Sequence, residues 1–228
     1  MDGIFNINKP SGVTSTEVVR KIKRLTGIKK VGHAGTLDPL ATGVLPICIG
    51  KATRIIEYLI DQDRSYRGII NLGIETDTFD REGSIVTENN GYKIPSRVEV
   101  INALSLFIGD IEQTPPMYSA IKINGERLYD LARKGVNLEL EPRLVKVFDI
   151  SLLDWNHPSL DIKIHCGKGF YVRSLANDLG RELGTGAYLN RLTRLKHGPF
   201  FIEDSVEYNS IEKIFDEDRW SDIIMDVD

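Results

Sequence analysis

The chain has 228 residues, 41% hydrophobic and 27% charged, the proportions of an ordinary globular protein with apolar side chains enough for a sizeable core. Its longest apolar runs, such as "GVLPICIG", fall far short of the roughly 20 residues a membrane span needs, and the N-terminus has no basic-then-apolar signal pattern, so a cytosolic protein is expected. The net charge of −4 conceals segregation: residues 1–54 carry nine Lys or Arg against three acids, and residues 203–228 carry two against ten. A basic N-terminal region therefore coexists with an acidic C-terminal one, and the basic part fits either a nucleic-acid surface or a solvated helix face.

In chain order, "GIFNINKPSG" reads as a strand. Thr14 and Glu17 then have capping-box spacing, and Val18, Val19, Ile22 and Leu25 recur with helical period until Gly27, with Lys21, Lys23 and Arg24 expected on the exposed side. The next segment, "GHAGTLDPLATG", isolates one acid, Asp38, among Gly32, Gly35, Pro39 and Gly43. A lone Asp in a loop is ordinarily a turn residue. These restrictive neighbours, however, specify a backbone path that a simple turn does not require. A carboxylate held this way can be a general acid or base, a metal ligand or a nucleophile. No second acid or histidine lies at a local spacing suited to a metal, and no matching acid announces glycoside hydrolysis. One acid alone suits covalent attack without water.

Further along, "SYRGIINLG" alternates as a strand and leads into the acidic loop "ETDTFDREG". Aligned as a calcium loop on Gly83, it would put Thr78 at the first ligand position and Asn89 at the last, so that site is rejected. Ser96 and Glu99 repeat the capping-box signal before "VEVINALSLFIG", whose apolar face runs to Gly109. "MYSAIKINGERLYDLARKG" predicts a strand, an Asn124-Gly125 turn and a short basic helix stopped by Gly135. In "LDIKIHCGKG", Ile162, Ile164 and Cys166 face one way and Asp161, Lys163 and His165 the other. "FYVRSLANDLGRELG" turns helical through Leu175, Leu179 and Leu183, with Arg173 at the strand-to-helix junction. Cys48 and Cys166 form no CxxC pair and no ligand-spaced set with the four histidines, which predicts buried thiols. Strands and helices interleave without a regular βαβ beat, so the expected class is α+β with a largely antiparallel sheet and no evident internal boundary.

Five segments carry a resemblance: "NKPSGVTS", "GHAGTLDPLATGVLPICIG", "SYRGIINLGIETDTFDREG", "PPMYSAIKINGERLYDLARKG" and "CGKGFYVRSLANDLGRELGTGA". In this order they resemble the TruB family, the bacterial tRNA pseudouridine-55 synthases, over nearly the whole chain. The resemblance implies a pseudouridine synthase fold in a single catalytic domain over residues 1–228, with a largely antiparallel or mixed central sheet flanked by helices and an RNA-binding insertion at "KINGERLYDLARKG". It implies isomerisation of the T-loop uridine of tRNA by base flipping, aspartate-dependent cleavage of the glycosidic bond and carbon–carbon rejoining, without cofactor or metal. The family's catalytic aspartate falls on Asp38, its uracil-stacking tyrosine on Tyr66, and the arginine paired with the aspartate on Arg173. Tyr171 matches a substrate-contacting tyrosine, His33 the histidine that fills the space the base leaves, and Leu192 a leucine lining the uracil pocket. Lys9 and Pro10 match a structural Lys-Pro motif.

Flipping a nucleotide costs about a few kcal/mol, and stacking on Tyr66 would offset roughly 1 to 3 kcal/mol of that. A pocket closed by RNA would disfavour an ionised Asp38 by desolvation, a penalty that a cation such as Arg173 reverses. Lys21, Lys23, Arg24, Lys29, Lys30, Lys51, Arg54, Arg127, Arg133 and Lys134 are candidate phosphate contacts. The expected partner is the T-arm stem-loop of tRNA, engaged by a monomer with no membrane and no obligatory protein partner. Longer relatives continue past "SDIIMDVD" into a PUA domain, so the acidic residues 203–228 are expected to be a terminus or shortened linker. Dyskerin-type relatives use guide RNA and partner proteins, whereas a compact chain looks like a stand-alone enzyme. The rival readings are a non-catalytic tRNA-folding chaperone on the same fold, and a phosphotransferase or hydrolase that would need a magnesium-binding acid cluster not found in the sequence.

Overall fold

The computed structural model describes residues 2–119, 121–123, 125–136 and 138–226, with the main chain only for Lys122, Ile123, Arg127 and Arg133. In chain order the first elements are β1 (Gly3–Lys9), α1 (Ser15–Thr26), β2 (Val31–His33), β3 (Thr42–Ile49), α2 (Ile56–Ile60) and β4 (Arg64–Leu72). Next come β5 (Ile74–Thr76), β6 (Ile85–Glu88), α3 (Arg97–Ser105), β7 (Gly109–Gln113), β8 (Lys122–Ile123), β9 (Glu126–Arg127) and α4 (Leu128–Arg133). The chain continues through β10 (Arg143–Asn156), β11 (Ser159–Cys166), α5 (Val172–Glu182), β12 (Ala187–His197), β13 (Phe200–Phe201), β14 (Val206–Glu207), α6 (Ile211–Asp216) and β15 (Ile224–Met225). The class is α+β, as expected. No helix is long and apolar enough to cross a membrane among the described residues.

The chain clusters into two compact units, residues 1–67 with 192–228 and residues 68–191. Both passages between them lie inside strands, β4 and β12, so no turn or linker composition marks them.

In the first unit β3 runs antiparallel to β1 from Gly3↔Ile49 to Lys9↔Gly43, and parallel to β12 at Thr193↔Thr42 and Arg194↔Gly43. Both expected capping groups of α1 form: the Thr14 hydroxyl accepts from the Glu17 amide, and the Glu17 carboxylate accepts from the Thr14 amide. The helix stops at Gly27, whose φ of 68° is left-handed. Ile4, Val44, Cys48, Leu59 and Phe200 pack together as a buried cluster, each large aliphatic or aromatic side chain contributing about 1.5–3 kcal/mol by leaving water. Burial pushes the Cys48 thiol up to about 11, as fits an inert core thiol.

Residues 203–226 pack onto the first unit: β14 pairs parallel and β15 antiparallel with β1, and Phe215 meets the Phe5 ring at 6.0 Å. Charge contributes as well as packing. Glu212 of α6 pairs with Arg24 and lies 3.8 Å from the Lys21 ammonium. That also removes Lys21 from the exposed side of α1, because its side chain is only 10% exposed, donates to the Tyr208 carbonyl at 3.1 Å and sits 4.1 Å over the Tyr208 ring.

In the second unit the strand order is β4-β11-β10-β7, with β10 antiparallel to both β11 and β7. β11 alternates as read, burying Leu160, Ile162, Ile164 and Cys166. The Ser96 and Glu99 capping box forms at α3, but that helix ends at Ser105 rather than reaching Gly109. Leu106, Phe107 and Ile108 donate to carbonyls three residues back, a tightening that closes the helix before Gly109 turns at φ 108°. Gly125 has φ 88°, while Asn124 of the expected turn lies outside the described residues.

Candidate active site

Asp38 sits in the loop between β2 and β3, and the main chain around it is held at every step. The carbonyls of Gly35 and Thr36 accept from Arg194 at 3.1 and 3.4 Å, and that of Leu37 from the Ser15 hydroxyl at 3.0 Å. The Asp38 carbonyl accepts from the Ala41 amide at 3.1 Å, and the Pro39 carbonyl from the Gly12 amide at 2.9 Å and the Lys9 ammonium at 3.2 Å. Lys9 is fully buried and also donates to the carbonyls of Pro10 and Val13, which gives the Lys-Pro motif its structural role. Five successive carbonyls thus have donors, so the loop presents its carboxylate from a fixed frame.

The glycines follow from what lies beneath. A Cβ at Gly35, where φ is 111°, would meet the His197 ring at 3.0 Å, and one at Gly43, where φ is 102°, would collide with the Arg194 main chain. β12 can therefore approach β3 closely enough to bring Arg194 under the loop.

Arg194 is 1% exposed and donates from Nε to the Val44 carbonyl at 2.7 Å. Burial pushes its pKa down, while its neighbours Tyr66 and, less strongly, the Asp38 charge push it back up. Arg64, also buried, donates to the carbonyls of Gln62 and Ile60 at 3.0 and 2.6 Å. Asp38, Tyr66, Arg64 and Arg194 consequently form one electrostatic group in the first unit. Tyr66 itself is 7% exposed on β4, and Leu192, 9% exposed, lies two residues before Arg194 on β12. His33 stands on β2, and its Nδ1 finds no hydrogen-bond partner among the described residues. Burial, and secondarily Arg194, holds this imidazole below its ordinary pKa, so it meets a ligand as a neutral, space-filling ring.

His197 completes the layer under the loop. Its Nε2 donates to the Leu59 carbonyl at 2.8 Å, and burial, reinforced by Arg194 and Arg64, depresses its pKa from 6.5 to about 3. Because the unfolded chain takes up the proton first, this contribution to stability is complete above pH 6.5 and is lost as pH falls towards about 3. Urea midpoints measured between about pH 7 and pH 4.5 should therefore fall more steeply for the natural chain than for His197→Gln, by up to about 1.4 kcal/mol per pH unit. Parallel curves would show that His197 is not the group responsible.

Arg173 and Tyr171 lie in the second unit, where α5 begins. The Gln113 side chain holds Tyr171 reciprocally, accepting from its amide at 2.8 Å and donating to its carbonyl at 3.0 Å. The Arg173 guanidinium donates to the carbonyls of Tyr118 at 2.8 Å and Thr78 at 3.3 Å, and lies 3.5 Å from the Asp80 carboxylate. Asp80 is oriented in turn by the Thr78 hydroxyl at 2.6 Å and the Glu82 amide at 3.0 Å. The loop rejected as a calcium site is thus the seat of Arg173. Among the described residues no three His, Cys, Asp or Glu side chains gather as metal ligands.

Of the phosphate candidates, Lys23, Lys29, Lys30 and Arg54 are exposed, Arg24 pairs with Glu212, Lys51 lies 3.8 Å from Asp2, and Lys134 is 3.0 Å from Glu126. The side chains of Arg127 and Arg133 lie outside those described. Sequence reasoning missed Arg194 and Asp80. The available signal for Arg194 was its even spacing from the pocket candidate Leu192 on one strand.

A family model described as TruB family pseudouridylate synthase, N-terminal domain, matches residues 23–172. The chain belongs to the TruB family. A tRNA pseudouridine synthase B of Clostridium tetani is 49% identical over 93% of the chain and 73% of that protein. One of Francisella philomiragia is 45% identical over 98% and 74%. Among solved structures, a Cbf5-Nop10-Gar1 complex contains a chain of the same fold, with TM-score 0.74 and 29% identity, covering 95% of this TruB-family chain. The match spans 56% of that longer chain.

Proposed function

We propose that this TruB-family chain converts the uridine at position 55, in the T loop of tRNA, to pseudouridine. The observation that carries the reading is Asp38, fixed in a loop whose carbonyls from Gly35 to Pro39 are all engaged and grouped with Tyr66 and Arg194. A flipped uridine stacks on Tyr66, lined by Leu192, while the neutral His33 fills the vacated space in the loop. Asp38 in its ionised form assists breaking of the N1–C1′ bond. The uracil turns without leaving, C5 bonds to C1′, the C5 hydrogen departs as a proton, and the freed N1 takes up one proton, so that the product is an isomer of the substrate. Arg173 keeps the catalytic assignment that its motif implies, held by Asp80 and the carbonyls of Tyr118 and Thr78.

The reading is tested with a T-arm hairpin carrying uridine tritiated at C5. Release of tritium at that position alone is expected, and a hairpin that binds without release would favour the chaperone alternative. Basic side chains such as Lys23, Lys29, Lys30 and Arg54 grip the phosphates, so affinity for this hairpin should fall about 100-fold or more between roughly 50 and 200 mM salt. A filter-binding series insensitive to salt would contradict that assignment. The tRNA is engaged by a monomer, which sedimentation of the protein with and without RNA will check.

A further inference from the structure

The mechanism above uses Asp38 and Tyr66 and leaves Arg194 without a task, although it is the largest fully buried side chain among the described residues. A buried guanidinium is expensive to desolvate, and an apolar side chain of similar volume is often no less stabilising, so packing alone is a weak reason for a cation here. Its contacts are specific. Nη2 and Nη1 hold the Gly35 and Thr36 carbonyls, on the N-terminal side of Asp38, while Nε holds the Val44 carbonyl, on the C-terminal side.

We propose that Arg194 is a positioning residue for the pseudouridylation reaction: its guanidinium clamps both ends of the Asp38 loop and thereby fixes where the carboxylate stands. The inference rests on the reading of Asp38 given under the proposed function. The charged or titratable groups around it are Asp38 on the loop, Tyr66 and Arg64 on β4, His33 on β2 and His197 on β12. His33 and His197 are both held towards the neutral form, so neither replaces the cation.

The test measures single-turnover rate and dissociation constant on the T-arm hairpin for the natural chain, Arg194→Met and Arg194→Lys, with Asp38→Asn as reference. Arg194→Met should lower the rate about 100-fold with affinity changed less than about threefold, since the loss is one of positioning. Arg194→Lys, which keeps a donor and the charge, should recover about tenfold of that. An undiminished Arg194→Met rate overturns the role altogether, and if that variant does not fold, a Lys variant with the same rate as the natural chain does so. Activity in Asp38→Asn would instead sink the reading of the site on which the inference rests.

Discussion

Asp38→Asn is expected to abolish tritium release from the T-arm hairpin, lowering the single-turnover rate by at least about 1,000-fold, while the hairpin still binds with an affinity within about threefold. The substitution is nearly isosteric, and the loop that carries it is fixed by donors to the main chain, from Arg194, Ser15, Ala41, Gly12 and Lys9, none of which involves the carboxylate. The frame should therefore survive and only the anion be lost. Circular dichroism and an unchanged urea midpoint will establish the first part, and the rate the second. Substantial residual turnover would show that chemistry does not pass through this carboxylate.

The second large effect is expected at Asp80→Asn. Asp80 and Arg173 have side chains 6% and 5% exposed and stand 3.5 Å apart. Removing one charge of such a pair leaves the other buried and less compensated, a change that costs about 3 kcal/mol. The urea midpoint should fall accordingly. Turnover should also drop, by about 100-fold, because the guanidinium keeps its hold on the Tyr118 and Thr78 carbonyls but loses the carboxylate that sets its orientation. An unchanged midpoint together with unchanged turnover would mean that the pair neither stabilises the second unit nor places Arg173.

What the sequence disclosed and what it hid divide by range. The capping boxes at Thr14 and Ser96, the stop at Gly27 and the alternation of β11 depend on neighbours within a few residues, and all of them formed. The glycines around Asp38 were recognised as restrictive, but their cause was not, because His197 and Arg194 come from the far end of the chain. An arginine in a strand reads as solvent-facing. Arg194 is buried because carbonyls at positions 35, 36 and 44 converge on it, and nothing near it in sequence announces them. Asp80 looked like one more acid in a polar loop for the same reason, its partner being Arg173. The packing of the acidic C-terminal residues against α1 was not legible because composition reports charge and not the surface it meets.

The capping of α1 bears on how RNA can be held. A bare helix start, with its unpaired amides and positive dipole end, is a natural cradle for a phosphate. Here the Thr14 and Glu17 amides are already engaged, and the Glu17 carboxylate puts a negative charge at the helix start. Backbone anchoring of the polynucleotide is thereby discouraged at that point. The grip is left to lysines and arginines, whose long stems adjust to the contour of whichever tRNA arrives.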